Sequence, residues 1–190
     1  AAPDGETILQ TPACMLTLQP AVFPRQVRYD ALTDLVPVST VVSFPFALAV
    51  PASHPARDLA GFVAWARTQG DIPFASPAAG ASPHFLGVML AKAIGANLVH
   101  VSYRGAAPAV QDLIAGRLGC FVGVLGDVTP QDGQGLRILA VSSPQRNPRY
   151  PSIPTFAELG YPQLSKDEWF GMLLPAGTPP ATVTALFDAI

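Results

Sequence analysis

The chain has 190 residues, 49% of them hydrophobic and 13% charged, with a formal net charge of -2. This composition is globular rather than disordered, and it suffices for one large or two small domains. The eleven Lys and Arg residues are scattered without a basic patch, which argues against nucleic acid, and no apolar run reaches the roughly 18 residues of a membrane-spanning helix.

Taken in chain order, the first expected element is a strand at 7–10, close behind Ala1. No charged n-region or apolar h-region precedes it, so we expect a piece of a longer chain or one whose beginning has been removed. Segment 11–15, with Thr11, Ala13 and Cys14, follows at the carboxyl end of that strand, where open α/β sheets place ligands. A strand at 46–50 leads to a helix capped by Asp58, in which Leu59, Phe62, Val63 and Ala66 form an i, i+3, i+4, i+7 stripe. Strand 72–75 then feeds a small-residue loop and a helix at 83–94, whose Leu86, Leu90 and Ile94 repeat every four residues before Gly95 stops it. Strand 98–101, a helix started by Pro108 and closed by Gly116, and strand 118–125 follow. Beyond a turn-rich stretch, the pattern predicts strand 136–142, a short helix at 155–159, strand 169–174, and a last helix opened by Thr178 with Pro179 at its first position. The alternation of β and α signals implies an α/β fold with a mainly parallel sheet and helices on both faces.

The most informative stretch is Ser76-Pro77-Ala78-Ala79-Gly80-Ala81-Ser82-Pro83-His84. Ser82 is expected as N-cap, Pro83 as first helical residue, and Gly80 as the turn that lets several uncommitted N–H groups point into one cavity. Such a loop suits a carboxylate. The competing reading is a tight β-α connection whose small residues only let helix and sheet pack closely. His84, in a first helical turn, is expected neutral because the helix dipole disfavours its cation. Tyr103 offers either an aromatic wall and a hydroxyl or a core filler, and Trp169 reads as a packing anchor. Arg104 is either a bidentate carboxylate partner or a solvated surface charge.

No metal, cofactor or covalent chemistry is indicated. Cys14 and Cys120 fit no zinc or redox spacing and read as inert thiols; His54, His84 and His100 are isolated. Ser82, His84 and Asp112 or Asp127 superficially supply triad components, but no Gly-x-Ser-x-Gly elbow is present.

Several pieces recur together: Tyr29-Asp30 with Asp34-Leu35-Val36-Pro37-Val38; the 76–84 loop; His100-Val101-Ser102-Tyr103-Arg104-Gly105; strand 136–142 with Arg146; Ile153-Pro154-Thr155 with Glu158 and Gly160; and Trp169-Phe170-Gly171 before Pro175-Ala176-Gly177-Thr178-Pro179. In this order and spacing the chain resembles, nearly end to end, the extracytoplasmic solute-binding receptors of tripartite tricarboxylate transporters, the Bug-type receptors. The resemblance implies a hinged, two-domain fold of the periplasmic-binding-protein kind (type II). It also implies export across the inner membrane as a monomer, no enzymatic activity and no cofactor. A small carboxylate ligand, held by loop amides and waters, would be passed to membrane transporter subunits.

One complete domain is expected at 46–164, with 1–45 and 165–190 as parts of an incomplete second, and hinges near 43–46 and 166–169. The candidate contacts are Thr11, Ala13, Cys14, Ser76, Ala79, Gly80, Ala81, Ser82, His84, Tyr103 and Arg104. Three departures from the family pattern stand out. A leading strand and a Pro/Gly-rich loop ahead of Ala1 are missing from this sequence. Gly119 and Gly123 stand where acidic residues are common, which disfavours an amino-acid ligand. Arg104 replaces a frequent lysine. The alternative is the ligand-sensing effector domain of a bacterial regulator, which a basic three-helix segment upstream would support, as a secretory signal would support the receptor.

Overall fold

A computed structural model describes residues 1–190. Its strands are β1 (Leu9–Pro12), β2 (Leu35–Pro51), β3 (Ile72–Ser76), β4 (Leu98–Ser102), β5 (Cys120–Val124), β6 (Leu136–Val141) and β7 (Asp167–Pro175). Its helices are α1 (Ala13–Thr17), α2 (Gln19–Val22), α3 (Leu59–Ala66), α4 (Ser82–Ile94), α5 (Ala106–Ile114), α6 (Leu125–Val128) and α7 (Pro180–Ala189). The chain divides into two units, Ala1–Ser43 with Glu168–Ile190, and Phe44–Asp167.

In the Phe44–Asp167 unit the strand order is β6-β2-β5-β3-β4. β3 is parallel to β4 and β5, whereas β2 runs antiparallel to both β5 and β6. Four strands therefore point one way and β2 alone points back. The α/β class holds, but the sheet is mixed rather than mainly parallel, because the reversed β2 makes both of its ladders in this unit antiparallel. Alternation along β2 sorts its side chains between two cores. Phe46, Leu48 and Val50 join Phe62, Phe74, Leu86, Leu90 and Ile94 from α3, β3 and α4, while Ala47 and Ala49 join Val110, Leu113, Phe121 and Ile138. Helices thus cover both faces. Gly87 makes one of these contacts possible, because a Cβ there would stand 2.1 Å from the Phe74 ring.

Several element boundaries differ from expectation. β2 extends for 17 residues instead of the five predicted at 46–50, and it runs through Pro37 and Pro45. Pro45 costs no ladder bond to β5 or β6, because those registers begin only at Phe46↔Val124 and Ala47↔Val141. Asp58 caps α3 as predicted, its Oδ1 accepting from Gly61 N at 2.7 Å. α5 begins at Ala106, two residues before Pro108, behind Gly105 at φ 100°. α7 begins at Pro180 with Pro179 as cap; Thr178 does not cap forward but donates its hydroxyl back to Pro175 O at 2.8 Å. The helix expected at 155–159 is a single closed turn. Thr155 Oγ1 accepts from Glu158 N at 3.2 Å and Glu158 Oε2 accepts from Thr155 N at 2.9 Å, a capping box. The turn ends at once, at Gly160 with φ 89°.

In the other unit β1 pairs antiparallel with β7, Thr11 opposite Gly171, and β7 lies beside β2. The Tyr29 hydroxyl donates to Met15 O, and Ala176 N donates to Asp34 O at 2.8 Å. No helix is long and apolar enough to cross a membrane.

Candidate functional site

Parallel strands bring their following loops to one edge of the Phe44–Asp167 sheet. The 76–82 loop after β3, the 102–105 loop after β4, α6 after β5 and the turn after β6 all lie there, and the reversed β2 enters the unit at that same edge. The β3 and β4 loops are tied together by Gly105 N donating to Pro77 O at 3.0 Å.

Within the 76–82 loop the geometry departs from the simple picture of free amides. Gly80 takes the left-handed conformation, φ 74°, and its N–H is committed to His84 Nδ1 at 3.0 Å. Gly80 makes the turn expected of it, and its own amide anchors that turn instead of staying open. The helix begins one residue earlier than predicted, so Ala81 is the N-cap at φ -96°, ψ 169°, Ser82 is the first helical residue and Pro83 the second. Proline is tolerated anywhere in the first turn, since those N–H groups have no intrahelical acceptor. No side chain caps α4, and the amides of Ala79, Ala81 and Ser82 donate to no group of the protein. These amides are the open donors.

Two histidines brace this loop. His84 and His100 stack with ring centroids 3.9 Å apart at 24°, and Phe74 lies against His100 at 5.0 Å. Because Gly80 N–H donates to His84 Nδ1, the ring proton sits on Nε2. His100 Nε2 lies 2.7 Å from Ser76 Oγ, which also reaches Ala78 O at 3.3 Å. A chain His100 Nε2–H to Ser76 Oγ–H to Ala78 O satisfies all three groups. Burial lowers the pKa of His84, while burial and then the neighbouring His84 push His100 down to about 4. Both rings are neutral near pH 7. Ser76 and His84 thus hold the loop rather than face outward from it.

The remaining predicted residues sort differently. Tyr103 gives its hydroxyl to Asp112 Oδ2 at 2.7 Å, which raises the phenol pKa and lowers that of Asp112, and Arg117 completes the pair at 2.6 Å. Its hydroxyl is therefore not a ligand donor, because a charged acceptor already holds it. Arg104 is exposed and joins no ion pair, which matches the solvated alternative. Gly119 lies at the amino-terminal start of β5, at the opposite edge from the loops, and donates to Pro73 O at 2.8 Å. A Cβ there would meet Ile72 at 2.4 Å, and one at Gly123 would meet the Phe121 ring at 2.3 Å. Packing accounts for both glycines, so they carry no information about an amino-acid ligand.

In the other unit, Thr11 lies in β1 and Ala13 and Cys14 in the first turn of α1, behind an extended Pro12 with no side-chain cap. This repeats the strand-to-uncapped-helix pattern on a smaller scale. Cys14 and Cys120 are both buried and neither forms a disulfide, and burial raises the Cys120 thiol to about 12. No group of His, Cys, Asp and Glu side chains is arranged to hold a metal ion. Two cavities lie elsewhere: an apolar groove of about 630 Å³ along β2 and β7, with Leu32, Leu35 and Trp169, and one of about 420 Å³ beside His54 and Trp65. Neither includes a residue expected to bind ligand.

Sequence reasoning missed two features. Ser142, buried after β6, accepts from Phe46 N at 2.9 Å through Oγ and donates that hydroxyl to Lys166 O; its own N–H and C=O bond Phe46 O at 2.8 Å and Lys166 N at 2.7 Å. It clamps together the two segments by which the chain enters and leaves this unit. Lys166 then reaches back with Nζ to Ser82 Oγ at 3.4 Å. Contacts spanning 84 and 96 residues leave no local sequence signal.

The family model described as "Tripartite tricarboxylate transporter family receptor" matches residues 1–190. A Pseudomonas sp. (strain P51) protein encoded in the tcbD-tcbE intergenic region is 37% identical over 98% of this chain and 56% of its own length; BugT of Bordetella pertussis is 33% identical over 98% and 58%. The chain thus spans little more than half the length of these relatives. Among solved structures, a Rhodopseudomonas palustris protein with adipate superposes with TM-score 0.90 at 29% identity, covering 98% of this chain and 62% of that one. MatC of the same organism, with bound malate, superposes with TM-score 0.87 at 26% identity, covering 100% and 65%. The periplasmic-binding-protein-like fold expected from the sequence is shared with these neighbours, and the chain belongs to the Bug-type receptor family of tripartite tricarboxylate transporters.

Proposed function

We propose that this chain forms part of an extracytoplasmic receptor that captures a small organic carboxylate and delivers it to a tripartite tricarboxylate-type transporter. The observation that carries the reading is the 76–82 loop. Its open amides at Ala79, Ala81 and Ser82 gather at the uncapped start of α4, where the helix dipole favours negative charge. Charge-assisted hydrogen bonds to such amides hold a carboxylate without transforming it. Relatives solved with malate and with adipate support a dicarboxylate of similar size. Thr11, Ala13 and Cys14 occupy the corresponding strand-to-helix position in the other unit and are proposed as further contacts. The crossings at Ser43/Phe44 and Asp167/Glu168 are proposed as the hinge segments of a receptor that closes on its ligand.

The test is a thermal-shift and calorimetric screen of the full-length protein against mono-, di- and tricarboxylates and amino acids. A carboxylate is expected to raise the melting temperature by mass action. A response confined to amino acids, or to no anion at all, refutes the proposal.

A further inference from the structure

Lys166 brings a positive charge to the edge that carries the open amides. Its main chain is fixed at both polar atoms by Ser142, so the side chain starts from a defined point, and its Nζ meets the hydroxyl of Ser82, a residue only 2% exposed. An ammonium has three donors, and Ser82 Oγ uses one. The ion pairs of this unit join Arg117 to Asp112 and Arg146 to Glu158, and Lys166 has no acidic partner. Lys166 thus sets an ammonium with no acidic partner beside the first residue of α4, an uncapped helix start with open amides, an arrangement that an anion completes.

Resting on the receptor reading above, we infer that Lys166 is a specificity-determining residue of the carboxylate site, selecting ligands by net charge. One carboxylate of the ligand takes the amides of Ala79, Ala81 and Ser82, and Lys166 supplies the counter-charge beside Ser82. Dianions are therefore preferred to monoanions. Free amino acids are disfavoured because their α-ammonium brings a second cation against the first.

The test compares the full-length parent with K166Q, K166R and the control K92Q, which alters an exposed lysine in the last turn of α4. Malate, adipate, acetate and glutamate serve as probes in calorimetry at two ionic strengths. The expected result is that a dicarboxylate binds the parent more tightly than acetate or glutamate, with affinity falling as salt rises. K166Q should lose roughly 10- to 100-fold for the dicarboxylate, the cost of one charge-assisted hydrogen bond, with K166R within about threefold of the parent and K92Q unchanged. Unliganded melting temperatures of the variants should match, since the ammonium is exposed. If the parent binds a dicarboxylate and K166Q binds it equally, the inference about Lys166 falls while the receptor reading stands. If the parent binds no carboxylate, both fall.

Discussion

Replacing Ser142 with alanine tests how the carboxyl edge is held. The side chain is fully buried and makes two hydrogen bonds, accepting from Phe46 N and donating to Lys166 O. In an antiparallel strand the N–H and C=O of one residue point to the same neighbour. Phe46 O already accepts from Ser142 N, so Phe46 N–H has no route to β5 once the hydroxyl is gone. Alanine keeps both main-chain bonds of residue 142, so local geometry survives while one buried donor and one acceptor lose their partner. With a net ~1 kcal/mol per bond and ~1–3 kcal/mol for a buried group left unsatisfied, the loss is about 2–4 kcal/mol. At ~2–4 °C per kcal/mol for a chain of this size, the melting temperature should fall by roughly 5–15 °C. Hydrogen exchange reads the same event locally: the Phe46 amide should lose protection while amides of β3 and β4 keep theirs. A melting temperature within about 1 °C of the parent, with Phe46 still protected, refutes the clamp.

Other perturbations address the loop and its supports. Gly87→Ala places a methyl 2.1 Å from the Phe74 ring, which is 0% exposed and cannot swing aside, so denaturant titration should show a loss of ~1–3 kcal/mol. Gly80→Val forces a β-branched residue to φ 74°, costing ~1–2 kcal/mol in folding; calorimetry should show carboxylate affinity falling by more than that stability loss predicts, and equal losses would argue that the turn does not shape the binding edge. The His84–His100 stack predicts a pH dependence. The folded His100 pKa, about 4, is below the unfolded value, so its contribution is present above about pH 6.5 and is lost as pH falls toward 4 while the unfolded chain takes up protons. His100→Gln should flatten the decline of melting temperature across that window, and an unchanged slope would show that the stacked ring is not its source.

Much of the Phe44–Asp167 unit was legible because its signals are local. Asp58, the helical stripes and Gly95 each act within one turn, and β3, α4 and β4 follow one another in the sequence as in the fold. The length of β2 was not legible. Pro37 and Pro45 look like breaks, yet a proline breaks a strand only where its missing N–H faces a partner, and that depends on where the β5 register begins. The 155–159 turn failed in the opposite direction. Its capping box is a true helix-start signal, but Gly160 and Pro162 follow before a second turn can form, and Thr155 bridges to Val141 instead.

The proposed binding edge shows the same division more sharply. Loop 76–82 stood out as a candidate because an anion site made of amides needs small residues and a glycine turn in unbroken sequence. What those amides do was not identifiable, since it hangs on His84, four residues on, accepting from Gly80, and on His100, 24 residues from Ser76, locking the other end. Lys166 is further still, and its ammonium reaches Ser82 only because Ser142 joins the chain's two crossings. Charge selectivity in a site of this design is therefore separable from anion binding. In the proposed site the amides come with the loop and would serve any carboxylate, whereas the cation arrives from a distant segment that can change without disturbing the loop. A single substitution at 166 should then alter which ligands are preferred while leaving the turn, the histidine stack and the sheet beneath it intact.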